Sequence, residues 1–311
     1  KMIAIDDIGT RWITTKNQYN IRIEDSYWEI YEVGDIFLAD NSGRVFFSVG
    51  ESILWFNREH IFDKYLIRSL GSSSATDIEI DSENRVWIAT NNPQYFLCRF
   101  DDEVTYSQMR TQFGIESGEI GTMVIDENSV LWGANNKMDG FGLLRYDTKK
   151  DNAFVINSSN SNIPSNNIRC LDIDTRGNLW MSCMSVENNS AVYHGLTKFN
   201  GEVFETIFKN PDSNIPTNNF NCIAVDNNDD IWLGSDKGLI HYGKQDKWTV
   251  YDPALTKLPS KYISCIEIDN YNNVWVGTDK GLAVYHRGGV ILSSVDKGSF
   301  SDLIFSSAYP N

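Results

Sequence analysis

One pattern that returns seven times limits this chain more than any other feature. A short apolar strand ends in Asp, a polar turn follows, and a second apolar strand is centred on an aromatic residue. The clearest copy runs Ile263-Ser264-Cys265-Ile266-Glu267-Ile268-Asp269, then Asn270 to Asn273, then Val274-Trp275-Val276-Gly277-Thr278. The copy before it runs from Phe220 to Asp226 and on to Ile231-Trp232-Leu233-Gly234-Ser235. Another leads from Ile168 to Asp174, through Gly177-Asn178, to Leu179-Trp180-Met181. Looser copies pair Asp81 with Trp87, Asp126 with Trp132, Asp40 with Phe46 and Asp6 with Trp12.

The markers Trp12, Phe46, Trp87, Trp132, Trp180, Trp232 and Trp275 are 34, 41, 45, 48, 52 and 43 residues apart, a mean of about 44. Seven such units need about 307 of the 311 residues. Repeats of this length with several short strands each are the signature of propeller blades. A lone four-stranded sheet leaves two faces wet, and radial stacking covers both. The expectation is therefore an all-β, seven-bladed β-propeller of four-stranded antiparallel blades, one domain over 1–311. Its blades run approximately 1–33, 34–74, 75–118, 119–165, 166–217, 218–260 and 261–300, with 301–311 an extension of uncertain placement. Strand A carries apolar-x-apolar-Asp and strand B the Trp. A glycine turn such as Gly234-Ser235-Asp236-Lys237-Gly238 leads to strand C, because a tight hairpin needs positive φ. Strand D is an outer strand such as Trp248 to Tyr251.

Composition closes off several functions. A net charge of −15 with no compensating Lys/Arg cluster repels phosphate backbones, so no nucleic-acid partner is expected. No run of eighteen apolar residues exists, and no membrane insertion is expected. Five Cys include no Cys-x-x-Cys pair and leave one thiol over, so disulfides do not organise the fold. Lys1 runs almost directly into a strand-like segment, which suggests a mature chain whose export signal has been removed.

The run Ile266 to Asp269 followed by Asn272-Asn273-Val274-Trp275-Val276-Gly277-Thr278-Asp279-Lys280-Gly281-Leu282 resembles the two-component regulator propeller repeat. That family builds periplasmic sensor regions of hybrid two-component regulators in Bacteroidetes. The resemblance implies an exported, extracytoplasmic propeller (periplasmic, cell-surface or secreted) that binds or senses without catalysis, with an oligosaccharide or a protein as its partner. The alternative is a propeller enzyme acting on glycans, hydrolase or lyase, or one similar to virginiamycin B lyase.

Each candidate site residue has a plainer explanation beside it. Cys170, Cys222 and Cys265 each stand four residues before the strand A Asp in consecutive repeats, where thiolates would suit a soft metal. Small apolar residues are also what strand A needs where blades crowd the axis, and that is the reading taken; no metal is expected. The turn Asp226-Asn227-Asn228-Asp229-Asp230 opens like a calcium loop. Ile231 replaces the required glycine, Lys237 the closing Glu, and backbone capping is expected instead. No His-x-x-x-His or Gly-x-Ser-x-Gly element appears, so no catalytic residue and no cofactor are assigned. Tyr95, Phe96 and Phe141, in or beside variable B–C connections, are candidates for a sugar-stacking platform, or they simply close their own blades. His194 joins them as a ligand candidate, because it lies in the longest insertion and is least fixed by the repeat.

Overall fold

The computed structural model describes residues 140–207 and 215–286 without a break, most of 75–136, and the strands alone over much of 3–66. The calls on Tyr95 and the 301–311 extension fall outside the described residues. Strands pair in chain order into four-stranded antiparallel sheets, each strand hydrogen-bonded to its sequence neighbour. Seven such ladders form.

The all-β propeller class holds, but the expectation of seven equivalent blades is corrected to five. Five ladders, covering 75–105, 122–156, 168–207, 220–251 and 263–293, are blades in the full sense among the described residues, with packed faces and the repeat's turn in place. They are numbered I to V below. In the two N-terminal ladders, over 3–31 and 35–66, the buried side chains described are only Ile3, Val45 and Phe46. A ladder becomes a blade only when both of its apolar faces are covered. The loosest sequence copies are the ones for which that covering is least described. Ile3 itself packs with Trp275, Leu282 and Val284, so the first ladder sits beside blade V.

Alternation explains how each blade is built. In blade IV, strand A (Phe220–Val225) and strand B (Ile231–Ser235) place Phe220, Ile223, Ile231 and Leu233 in the seam with blade III. Ala224 and Trp232 turn to the opposite seam with Ile263, Ile266, Val274 and Val276 of blade V. Period-two alternation thus feeds two cores at once. Strands A lie beside strands A of adjoining blades, so they line the axis and the D strands lie outermost. Trp87, Trp132, Trp180, Trp232 and Trp275 are all buried, and fully burying such a ring removes roughly 150–250 Å² each.

Two local devices recur. Strand A of blades I, III, IV and V carries a β-bulge, with Thr76, Arg169, Asn221 or Ser264 as the extra residue. The position after the bulge faces strand B. In blades IV and V that residue is Cys, paired with Gly234 or Gly277. A Cβ on Gly234 would lie 2.3 Å from the Cys222 sulfur, and one on Gly277 would lie 2.5 Å from that of Cys265. Glycine stands at 277 because a sulfur atom fills the space, and at 234 because a sulfur and the Cβ and Cγ2 of Ile263, both 2.9 Å away, fill it together. The B–C hairpins use Gly238 (φ 109°) and Gly281 (φ 145°), as a tight turn with positive φ requires.

Candidate ligand-binding site

The A–B turns form one end of every blade, and the strand A Asp organises each of them. Asp269 accepts the N–H groups of Tyr271 (3.0 Å) and Asn273 (2.8 Å), the Asn273 amide (2.9 Å) and the Trp275 indole N–H (2.9 Å). Asp81, Asp174 and Asp226 hold Trp87, Trp180 and Trp232 in the same way, at 2.9, 3.1 and 3.3 Å. Burial works against the Asp81 carboxylate, yet bonds from Trp87 and Arg85 hold it below its ordinary pKa. Three residues beyond the Asp the chain must turn through positive φ, with Asn84, Ser129, Asp229 and Asn272 at 62–64° and Gly177 at 79°. The Asp and Asn side chains therefore cap the turn backbone. The indole clamp carries no signal of its own in a single repeat; only the constant six-residue interval from Asp to Trp hints at it.

Between blades III and IV, at this turn end, lies a cleft of about 520 Å³. One wall is Arg176, Trp180, Lys198 and Glu205; the other is Asp229, Asp230, Tyr242 and the turn Lys244–Asp246. Most of these polar groups already have partners. Arg176 Nε lies 3.4 Å from Asp229, which also accepts the Thr175 N–H and hydroxyl at 2.9 and 2.8 Å. Asp230 meets His241 Nε2 at 3.1 Å, and the Tyr242 hydroxyl donates to Asp246 at 2.5 Å. Burial and that carboxylate together raise the Tyr242 pKa, so the phenol stays protonated. Lys198 lies over the Trp180 ring at 5.5 Å, and Tyr242 meets the same ring edge-on at 6.1 Å. Gln245 and Asp246 hold positive φ at the rim, so the hairpin there presents its side chains in fixed directions. The result is a preformed wall of alternating charge with aromatic rings behind it, suited to gripping a polyhydroxylated ligand by paired hydrogen bonds.

Four carboxylates stand apart from this cleft, on strands A along the axis. Burial raises Asp77 to about 7 and Asp172 to about 6, although Asp77 accepts Met123 N–H at 2.6 Å and Asp172 accepts Val225 N–H at 2.7 Å. Burial, then the charge on Asp172, raises Glu267 to about 8. Glu79 is raised well above its ordinary value by burial, then by Asp77, Asp172 and Glu267. Asp77 and Asp172 thus tie one blade's inner strand to the next. They are built into the fold.

The structure separates the residues singled out in the sequence. Phe96 and Phe141 are buried and meet edge-on at 6.2 Å in the seam of blades I and II, so they close the core and offer no platform. The insertion carrying His194 is a long hairpin, Leu179–Glu187 with Ser190–Phe199, turning through Asn188 and Asn189, both at positive φ. A register shift there sets His194 and Gly195 (φ 77°) against Cys183, and such a bulge re-aims the strand. His194 Nε2 lies 2.9 Å from Ser185 Oγ on the partner strand, at the end of the blade opposite the cleft. Beside it the Arg169 guanidinium lies over Tyr193 at 5.2 Å. Cys170 packs between blades III and IV, Cys222 against the core of IV and V, and Cys265 against that of V and the first ladder. The three aligned thiols occupy three different seams. The cleft residues Arg176, Lys198 and Glu205 had no marker, because their meeting depends on strand register and turn shape.

Radial four-stranded blades with a cleft between two of them define a β-propeller. Segments 69–92, 214–237 and 257–280 match the family model described as two component regulator propeller, and the chain carries that family's repeat. Among curated proteins, none matches the sequence. Solved structures extend the likeness. A catalytically inactive variant of virginiamycin B lyase from Staphylococcus aureus matches with a TM-score of 0.64 at 15% identity, over 88% of this chain and 90% of that one. PorZ, a surface component of the type-IX secretion system of Porphyromonas gingivalis, matches with a TM-score of 0.58 at 14% identity, over 91% of this chain and 50% of that one. The extracellular domain of the putative one component system BT4673 from B. thetaiotaomicron gives 0.51 at 13% identity, over 93% and 51%. The chain spans about half the length of the latter two. At such identities the likeness is one of fold. Among the described residues no helix is long and apolar enough to cross a membrane.

Proposed function

We propose that this chain is a non-catalytic, extracytoplasmic ligand-binding propeller of the sensing kind, and that the cleft between blades III and IV takes an oligosaccharide. The observation that carries the reading is how three of the cleft's four carboxylates, all but Glu205, are engaged. Asp229 serves Arg176 and Thr175, Asp230 serves His241, and Asp246 serves Tyr242. A general acid needs a titratable group free to exchange a proton with substrate, whereas a rigid, already bonded wall favours recognition. The repeat and the extracellular likeness support export. A glycan-hydrolysing or glycan-lysing enzyme is the second reading, favoured by the raised carboxylates on the axis.

A screen of oligosaccharides by Trp fluorescence and calorimetry, with product analysis of each mixture, separates the two. Binding without turnover, weakened at least tenfold by Arg176→Ala or Lys198→Ala, is expected. Release of any sugar product would overturn the non-catalytic reading. Binding indifferent to both substitutions would overturn the assignment of the cleft.

A further inference from the structure

The seams between blades I to V are stapled by repeat-equivalent side chains, and among the described residues one seam has none. At the bulge end, the extra residue of strand A donates to the first carbonyls of the next blade. Thr76 Oγ1 reaches Ile120 O at 2.6 Å, Arg169 Nη1 reaches Phe220 O at 2.9 Å, and Asn221 Nδ2 reaches Ile263 O at 2.5 Å. At the turn end, the positive-φ residue of one blade meets the residue after the Asp in the blade before it. Ser129 Oγ meets Ser82 Oγ at 2.6 Å, Asp229 accepts Thr175 N–H at 2.9 Å, and Asn272 accepts Asn227 N–H at 2.9 Å.

Between blades II and III both places are glycine. Gly121 takes the bulge position of blade II and lies under Asn136, whose amide a Cβ would meet at 2.1 Å. Gly177 takes the positive-φ position of blade III, opposite Glu127, and nothing lies within 4 Å of where its Cβ would be. The carboxylates that tie I to II and III to IV, Asp77 four residues and Asp172 two residues before the strand A Asp, have Thr122 and Val124 at their places in blade II, and blade IV likewise carries no carboxylate there. Trp132, in this seam, is also the one clamp Trp of blades I–V whose buried indole N–H has no partner. What holds II to III is an apolar core of Val124, Trp132, Ile168, Leu171, Cys183 and their neighbours, a main-chain bond from Ile168 N to Asn135 O at 2.7 Å, and bonds of the connecting segment, Ser158 N to Asn166 Oδ1 at 2.8 Å and Ser165 Oγ to Met184 O at 2.7 Å.

We infer that the seam between blades II and III is the built-in opening line among blades I to V. Blades I and II move as one stapled body and blades III to V as another, while the cleft between III and IV stays rigid. This goes beyond the proposed function and does not depend on what the cleft binds. Apolar packing is non-directional and tolerates sliding, whereas a hydrogen bond fixes distance and angle. Local opening among blades I to V therefore begins where both staples, between inner strands and between turns, are missing.

Blade III carries the reporters. Cys183 is buried in the II/III core and Cys170 in the III/IV core, on opposite faces of the same sheet. Burial raises both thiols to about 12, so neither reacts while its seam is closed. Native-state labelling with a thiol reagent, followed by peptide mapping, reads the two openings separately. Cys183 is expected to react at least tenfold faster than Cys170. Gly177→Asn supplies the missing acceptor for Glu127 at a φ that Asn tolerates; it should slow Cys183 severalfold and leave Cys170 unchanged. Cys183 reacting no faster than Cys170 in the native chain would overturn the inference. So would a folded Gly177→Asn protein whose ratio of the two rates is unaltered.

Discussion

Removing the Asp269 carboxylate tests how much of the fold rests on the turn clamp. In Asp269→Ala the buried Trp275 indole loses its acceptor, and so do two turn N–H groups and the Asn273 amide. An orphaned buried donor costs about 1–3 kcal/mol, and each bond lost at the wetter turn about 0.5–1 kcal/mol. The sum is about 2.5–6 kcal/mol. Blade II supplies the control, because Asp126 accepts only the N–H groups of Asn128 and Val130 while the Trp132 indole stays unbonded. Asp126→Ala should cost about 1–1.5 kcal/mol. For a chain of 311 residues the unfolding entropy near the midpoint is about 650 cal/mol/K, so Asp269→Ala should lower Tm by about 4–9 °C and Asp126→Ala by about 2 °C. Urea titration gives the free energies and calorimetry the midpoints. Equal losses in the two variants would refute the claim that the indole bond, and not the turn alone, makes the Asp indispensable.

Two other outcomes follow from the same geometry. Gly277→Ala places a methyl 2.5 Å from the Cys265 sulfur and should destabilise by about 2 kcal/mol, as overpacking does; adding Cys265→Ala should recover most of the loss, and a double variant no better than the single would sink the explanation. Glu267 has a folded pKa raised from 4.5 to about 8, so its stabilising contribution is complete below pH 4.5 and disappears as pH rises through about 8. Glu267→Gln should match the native chain in acid and exceed it in urea resistance above that range, whereas parallel stability–pH profiles would contradict a buried, proton-holding Glu267.

Much of the blade was legible because its causes are local. Asp269, a four-residue turn and Trp275 announce a strand, a capped reversal and a second strand without reference to anything distant. The Cys residues before Asp174, Asp226 and Asp269 pack in three separate seams, although the same position holds Asp77 in blade I and Thr122 in blade II, so the repeat alone does not dictate a small apolar atom there. Phe96 and Phe141 were ambiguous, because an aromatic beside a loop is equally a lid or a platform until the neighbouring blade is placed; the Phe96–Phe141 contact joins residues of different blades. The cleft was illegible for the same reason. Arg176, Lys198, Glu205 and Asp246 come from a turn, two strands and a hairpin, and no spacing rule links them. The blade count was over-read by treating each loose copy as equal evidence. Trp12 and Phe46 mark ladders, but a marker does not report whether a face is covered.

The nesting of sulfur over glycine in blades IV and V reaches beyond stability. At those crossings the inner strand and its neighbour share one atom-sized volume, and which chain contributes it is arbitrary so long as the total is kept. Cys265 with Gly277 is therefore a single choice written at two places, twelve residues apart, and Cys222 with Gly234 is the same choice with Ile263 as a third party. A variant library that randomises either member alone will return mostly unfolded chains. One that exchanges both together, small for large and large for small, should find the same ring reached by a different pair of letters.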